Sequence, residues 1–347
     1  MVQTLADIGE FGLIRLIHEL LDREGVRAPG LILGIGDDSA SFNPNEGYEL
    51  LVTCDCMLEG RHYLREHINP MDLGRRAMVM NISDIGAMGG RPLYALVSLG
   101  LKKDTLVTDV LQMYRGFIQE LNPLGASIIG GNITRSDYSD FIDITLTGEV
   151  ERNKIIRRSA ARPGDIILVT GFPGQAAAGL SILLNSIEED LQSNPLVRAY
   201  KRPVHRAREG RAAALSGHAT SMIDISDGLM GDLGHICEES GVGAEIIRAE
   251  LPVSAHMRVF SASNGRDVYE MILGESDDYE LIITCGSNNR GKVCSVIAEI
   301  CDVPVTEIGR ITSKPDGIKI VFPDGSKHEV TPHGWDHFRI TSKSADR

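Results

Sequence analysis

Asp37 and Asp38 stand side by side in "LILGIGDDSASF" (residues 31–42), directly after Gly34 and Gly36 and inside an otherwise apolar run. Neither carboxylate is easily buried, so the pair calls for a partner. Comparable acids recur along the chain. Asp55 closes the strand-like "YELLVTCD" (48–55), and Asp84 sits in a Met- and Ala-rich stretch, 71–89. Asp224 and Asp227 end another strand-like run with Asp232 a turn later, and Asp277 and Asp278 precede "YELIIT". A single acid at a strand end is an ordinary turn or helix-capping residue, and Asp37 and Asp232 need be nothing more. Asp84 differs, because between "RRAMVMNIS" and "IGAMGG" its carboxylate lies against apolar residues. Several such acids in a low-dielectric cleft would repel one another and require cations, and oxygen-only donors select magnesium or calcium over zinc. The chemistry this predicts is the handling of phosphates through carboxylate-held metal ions.

Glycines form a second constellation. "IGGNITRS" (129–136) follows a strand with Gly130, Gly131 and Asn132, and "TGFPGQAAAGL" (170–180) runs from a strand through glycines into a small-residue helix. Glycine lets backbone approach a ligand, and free amides at a helix N-terminus suit a phosphate. Neither run matches G-x-x-x-x-G-K-[ST] or a dinucleotide G-x-G-x-x-G, and the protein-kinase motif set is missing, which disfavours P-loop, Rossmann and protein-kinase readings.

These residues must be positioned by a folded scaffold. The 347 residues, 42% hydrophobic and 24% charged, suffice for two domains with real cores and argue against disorder. Forty-eight acids against 35 bases give a net charge of −13, which disfavours nucleic acid and anionic membranes as partners. Apolar runs fall short of the roughly 20 residues of a bilayer span, and the first residues lack a targeting pattern; a cytoplasmic protein is expected. The six cysteines, at 54, 56, 237, 285, 294 and 301, have neither disulfide-framework nor zinc spacing and read as reduced thiols.

Alternating helix and strand signals predict an α+β chain of two domains, each a mixed sheet packed with helices. Apolar residues at three-and-four spacing predict a helix over 8–25, followed by a strand at 48–55, a helix at 71–89, a strand at 93–101, a helix at 106–121 and strands at 126–131 and 140–150. Near "RRSAARPGD" (157–165) a basic stretch ends in a Pro-Gly-Asp turn, and we divide the chain into 1–152 and 153–347. The second half is expected to hold a strand from 165, helices from about 174 and near 204–216 and 228–240, and strands near 243–248, 279–285, 304–310 and 317–322. "NISDIGAMGG" (81–90) and "DISDGLMGDLGHI" (224–236) echo one another, each placing Ile-Ser-Asp at or before a helix. One acid per half could then face a cleft between domains.

Nine stretches in order resemble the thiamine-monophosphate kinases, members of the aminoimidazole ribonucleotide synthetase superfamily. They are "GEFGLI" (9–14), "GIGDDSA" (34–40), "TCDCMLEGRHY" (53–63), "NISDIGAMGGRP" (81–92), "GGNITRS" (130–136), "RRSAARPGD" (157–165), "DISDGLMGDLGHI" (224–236), "DDYEL" (277–281) and "GWDHF" (334–338). The resemblance implies two domains of that superfamily's type with the active site in the cleft between them. It also implies ATP as co-substrate, several magnesium ions and transfer of the γ-phosphoryl group to thiamine monophosphate. A homodimer formed through first-domain strands is implied too, and "DFIDITLTGEV" (140–150) could supply one of them.

Residue by residue, the resemblance assigns Asp38, Asp55, Asp84, Asp224 and Asp227 to the metals, together with Thr53, Cys54 and Asn132. Cys54 stands where relatives tend to have a hydroxyl residue, and a backbone carbonyl would serve unchanged. Gly131, Asn132, Arg158 and Ser226 match nucleotide-contacting positions; His62, Asp277 and Trp335 match substrate-contacting ones. Ser276 and Asp277 replace the Gly-Glu common in relatives, which bears on the identity of the acceptor. No general base is expected, because the acceptor phosphate oxygen is already anionic at neutral pH. The alternatives are another ATP-using member of the superfamily, cyclisation above all, or a nucleotide-binding protein without catalysis. A selenium substrate would need an N-terminal catalytic Cys or selenocysteine, and a carbamoyl substrate a C-terminal Cys tail; this chain has neither.

Overall fold

The computed structural model describes residues 3–35, 40–185 and 193–332. Asp37, Asp38 and Trp335 lie outside the described residues. In chain order the helices and strands are α1 (Leu5–Glu24), β1 (Leu31–Leu33), β2 (Ser41–Phe42), β3 (Tyr48–Leu58), α2 (Pro70–Ala87), β4 (Arg91–Leu101), α3 (Val107–Leu121), β5 (Ser127–Arg135), β6 (Phe141–Glu151), β7 (Asp165–Thr170), α4 (Gln175–Asn185) and α5 (Pro195–Lys201). There follow α6 (Ala207–Ser216), β8 (Ala219–Asp224), α7 (Leu229–Ser240), β9 (Val242–Ile247), α8 (Ala255–Asn264), α9 (Val268–Leu273), β10 (Leu281–Gly286), α10 (Arg290–Ala298), β11 (Val305–Ser313), β12 (Ile318–Val321) and β13 (Lys327–Glu329).

The first unit contains the chain up to Ile155 and also Lys201–Gly217. Its four-stranded sheet has the order β3-β6-β4-β5, with β4 and β5 parallel and the other pairs antiparallel. In β6 Ile142, Ile144 and Leu146 are buried while the residues between them are partly exposed, the period-two alternation of a strand with one covered face. Those side chains join Leu51, Met57, Val97 and Leu99 in a core with Met78, Ile82 and Ile85 of α2 and Val110 and Phe117 of α3. Asn69 caps α2 by accepting the Asp72 N–H at 2.9 Å, and Pro70 occupies its first turn.

A boundary at 152/153 cuts the chain three residues early and misses the return of Lys201–Gly217, which carries α6, to the first unit. The return has identifiable causes. A Cβ on Gly86 would overlap the Ala207 Cα, so α2 and α6 meet backbone to backbone there, and one on Gly89, just past α2, would overlap the Ala214 Cβ. Arg202 Nε lies 2.6 Å from Asp72 Oδ1, and Arg211 pairs with Glu151.

The second unit comprises Ile156–Tyr200 and the chain from His218 onward. Its seven-stranded sheet runs β13-β12-β9-β11-β7-β10-β8 and is antiparallel except between β9 and β12. All six residues of β7 are buried, which explains why "DIILVT" lacks alternation. Among the described residues, no helix is long and apolar enough to cross a membrane.

Candidate active site

In the first unit the site grows from the alternation of β3. Thr53 and Asp55 point to the helix-covered face and are partly buried, whereas Cys54 and Cys56 are exposed on the other face. Helix α2 brings Asp84 to Thr53, whose hydroxyl donates to Asp84 Oδ2. The approach is possible because Gly90 leaves room for Leu51 and Gly148 for Ile85, which a Cβ at these glycines would overlap. Asp84 is thus a half-buried carboxylate with a charge-assisted hydroxyl partner, unlike the fully buried Ile82 and Ile85 around it.

Cys54 turns away from this group. Its Sγ lies 3.4 Å from Asp143 Oδ1 and 3.5 Å from Thr145 Oγ1, so the thiol points to the face opposite Asp55, and only the backbone carbonyl could serve a cation there. The register separates two further expected residues. Asp55, Ile144, Val97 and Gly131 form one cross-strand row, so Gly131 shares the face of Asp55. Cys56, Asp143, Ser98 and Asn132 form the next row, which puts Asn132 on the opposite face. Gly131 is glycine for a steric reason, since a Cβ would overlap the Val97 carbonyl oxygen. His62 lies in the turn after β3, where its Nδ1 accepts the Leu58 N–H at 2.9 Å and the proton of the neutral ring is left on Nε2.

In the second unit the site forms where β8 ends. Asp224 is buried, Ser226 exposed and Asp227 half-buried in the loop to α7. Gly228 closes that loop with φ +111°, and a Cβ there would overlap the Gly274 carbonyl oxygen. Ile225 donates its N–H to the Glu280 carbonyl at 2.7 Å and accepts the Tyr279 N–H at 2.8 Å, which ties the loop to the segment bearing half-buried Asp277. The exposed Arg158 lies in a short 3-10 turn, Arg158–Ala160, that packs against α7 and β8. The structure therefore places Thr53, Asp55 and Asp84 together in one unit and Asp224, Ser226, Asp227 and Asp277 in the other, whereas the Arg158 backbone sits at the far end of α7, its carbonyl accepting the Ser240 hydroxyl at 2.7 Å.

Two residues beyond the expected set stand out. Asp227, Asp232 and His235 offer ligand atoms within 4.8 Å of one another and could hold a metal ion. The i, i+3 spacing of Asp232 and His235 in "DLGH" was the available signal. Burial, with the charges of Asp224 and Asp227 adding to it, pushes Asp232 up to about 8, against the opposing effect of the two backbone N–H groups it accepts. Two carboxylates and an imidazole nitrogen make a donor set for a divalent cation, but not the oxygen-only set that selects magnesium.

The glycine run at 170–177 has a different use from the one its sequence suggests. The amides at the start of α4 are already taken: Asp278 accepts the Gly174 N–H at 2.6 Å and the Ala176 N–H at 2.9 Å, and Ser276 Oγ accepts the Ala177 N–H at 3.1 Å. A carboxylate of the chain itself fills the anion position. Burial pushes Asp278 up to about 6 despite those bonds.

Comparison with known proteins agrees with this architecture. Residues 36–150 match the AIR synthase related protein N-terminal domain and residues 162–321 its C-terminal domain. The thiamine-monophosphate kinase of Aquifex aeolicus is 35% identical over 337 residues, covering 96% of this chain and 99% of that protein. That of Bacillus subtilis is 31% identical over 93% of this chain and 98% of its own. Among solved structures, AaThiL complexed with AMPPCP and TMP superposes with a TM-score of 0.74 at 33% identity, covering 97% of this chain and all of that one. The chain belongs to the thiamine-monophosphate kinases, a family built from the two AIR synthase related domains.

Proposed function

We propose that this protein transfers the γ-phosphoryl group of ATP to the phosphate of thiamine monophosphate, releasing thiamine diphosphate and ADP. The observation that carries the reading is the similarity along nearly the whole chain to thiamine-monophosphate kinases, one of which is described in complex with AMPPCP and TMP. An anionic oxygen of the acceptor phosphate attacks Pγ, the bond from Pγ to the bridging oxygen breaks, and its electron pair leaves with ADP. No side chain need remove a proton, so the residues bind, align and neutralise.

In this reading Asp55 and Asp84, with the Thr53 hydroxyl and the Cys54 backbone carbonyl, hold magnesium in the first unit; Asp38 belongs to the same assignment. Asp224 and Asp227 do so in the second. Bound magnesium supplies charge neutralisation and orientation of phosphate oxygens. Arg158 and Ser226, with Gly131 and Asn132, are assigned to the nucleotide, and His62, Asp277 and Trp335 to the thiamine compound. The reading includes a cytoplasmic location, where ATP is supplied. The test is ATP consumption with thiamine monophosphate, with aminoimidazole precursors and with no acceptor. ADP and thiamine diphosphate should appear in equal amounts with the first alone; turnover on an aminoimidazole precursor instead would assign the chain to cyclisation.

The reading includes a homodimer. Leu50, Val52, Leu58 and Leu96 stand 49%, 66%, 41% and 42% exposed on the outer face of the first unit's sheet, a concentration of apolar surface that a second copy would cover. Val52→Arg is expected to shift sedimentation from dimer to monomer, and an unchanged dimer would remove this face as the interface.

A further inference from the structure

We infer that Asp232 is a positioning residue: its carboxylate fixes the loop that presents Asp224, Ser226 and Asp227. The inference rests on the phosphotransfer reading for what the loop presents, and on geometry for how it is held. The loop begins where β8 stops and ends where α7 starts, so the amides of Ser226 and Asp227 fall between the last strand ladder and the first helical hydrogen bond. Both are orphan donors in need of an acceptor.

One oxygen satisfies them. Asp232 Oδ2 accepts the Ser226 N–H at 3.0 Å and the Asp227 N–H at 3.1 Å. The side chain reaches them because it lies one turn inside α7, and helical side chains lean toward the helix N-terminus. Asp232 is itself immobilised: it is 2% exposed, and its own N–H donates to the Gly228 carbonyl at 3.0 Å. At the far end of the loop, Gly228 is pressed against the Gly274 carbonyl at φ +111°. The loop is thus held at Ser226 and Asp227 by the Asp232 carboxylate and at its end by the packing of Gly228.

Convergence of both bonds on a single oxygen makes the role separable from a ligand role. Asp232→Asn keeps one carbonyl-type oxygen, able to accept both amides, and removes the charge; Asp232→Ala removes the acceptor. Hydrogen exchange of the peptide spanning residues 222–232 in metal-free protein is the first readout. Protection should persist in Asp232→Asn and be lost in Asp232→Ala. Turnover and its magnesium dependence are the second. Asp232→Ala should lose roughly ten- to a hundredfold in kcat and require more magnesium, while Asp232→Asn should recover most of that loss relative to Asp232→Ala. Retained protection in Asp232→Ala would overturn the proposal. So would Asp232→Asn that keeps its protection yet loses as much turnover as Asp232→Ala, since that pattern belongs to a metal ligand. Wild-type protein that forms no thiamine diphosphate would overturn the phosphotransfer reading, and the exchange comparison would still decide whether Asp232 holds the loop.

Discussion

Asp84→Asn is expected to lower kcat by roughly a hundred- to a thousandfold while the protein stays folded. The substitution is isosteric, and the amide oxygen can still accept the Thr53 hydroxyl, so the α2–β3 contact survives. What it removes is a half-buried negative charge, which in the proposed reading holds a cation against phosphate. Asp55→Asn, on the same face of β3, should behave alike. The comparison is kcat with ATP and thiamine monophosphate at saturating magnesium, alongside thermal midpoints. A variant with near-normal turnover at saturating and limiting magnesium would strike its residue from the metal set. A large fall in midpoint would instead show a structural carboxylate.

The second large effect is on stability. Gly74 and Gly116 face each other's helix across the α2–α3 contact: a Cβ on Gly74 would overlap the Met113 carbonyl oxygen, and one on Gly116 the Met71 carbonyl oxygen. Backbone cannot swing aside as a side chain can, so Gly116→Ala should cost about 2–4 kcal/mol, at or above the usual range for overpacking. Gly291→Ala in α10 is the contrasting case. Nothing lies within 4 Å of a Cβ there and its φ is not positive, so alanine should stabilise by about 0.5–1 kcal/mol through helix propensity and a less flexible unfolded chain. Denaturant midpoints of the two variants should move in opposite directions. An unshifted Gly116→Ala midpoint would mean that the helices can part at no cost. Because α2 carries Asp84, that variant should also lose activity.

Much of the scaffold was legible from local pattern. Apolar spacing marks α1, α2 and α3 to within a few residues, although the non-helical Gly9 breaks the regularity of α1. Alternation marks β6, and an unbroken apolar run marks β7. The site was half legible. Asp84 stands out as a carboxylate set among apolar residues, and strand alternation alone separates Asp55 from Cys54. The sheet register, which puts Asn132 on the face opposite Asp55, depends on which strands pair and cannot be read from "GGN".

The sequence by itself determined most of the helices and strands (though not β1, β2, α5, α8, α9, α10 or β13), the acids at their ends, and through nine ordered motifs the family, because periodicity and short motifs are properties of adjacent residues. Tertiary structure alone decided which groups those acids and amides meet. The glycines before α4 look ready for a phosphate until Asp278, 104 residues from Gly174, is seen to fill the place. Lys201–Gly217 carries no compositional mark of belonging to the first unit, yet close α2–α6 packing and two arginine ion pairs return it there. Asp232 reads as an ordinary loop or capping acid until its carboxylate is found under the Ser226 and Asp227 amides. In each case the deciding partner is distant in sequence or placed by a fold-back of the chain, and hydrogen bonds and close packing form only once the fold has brought the groups together.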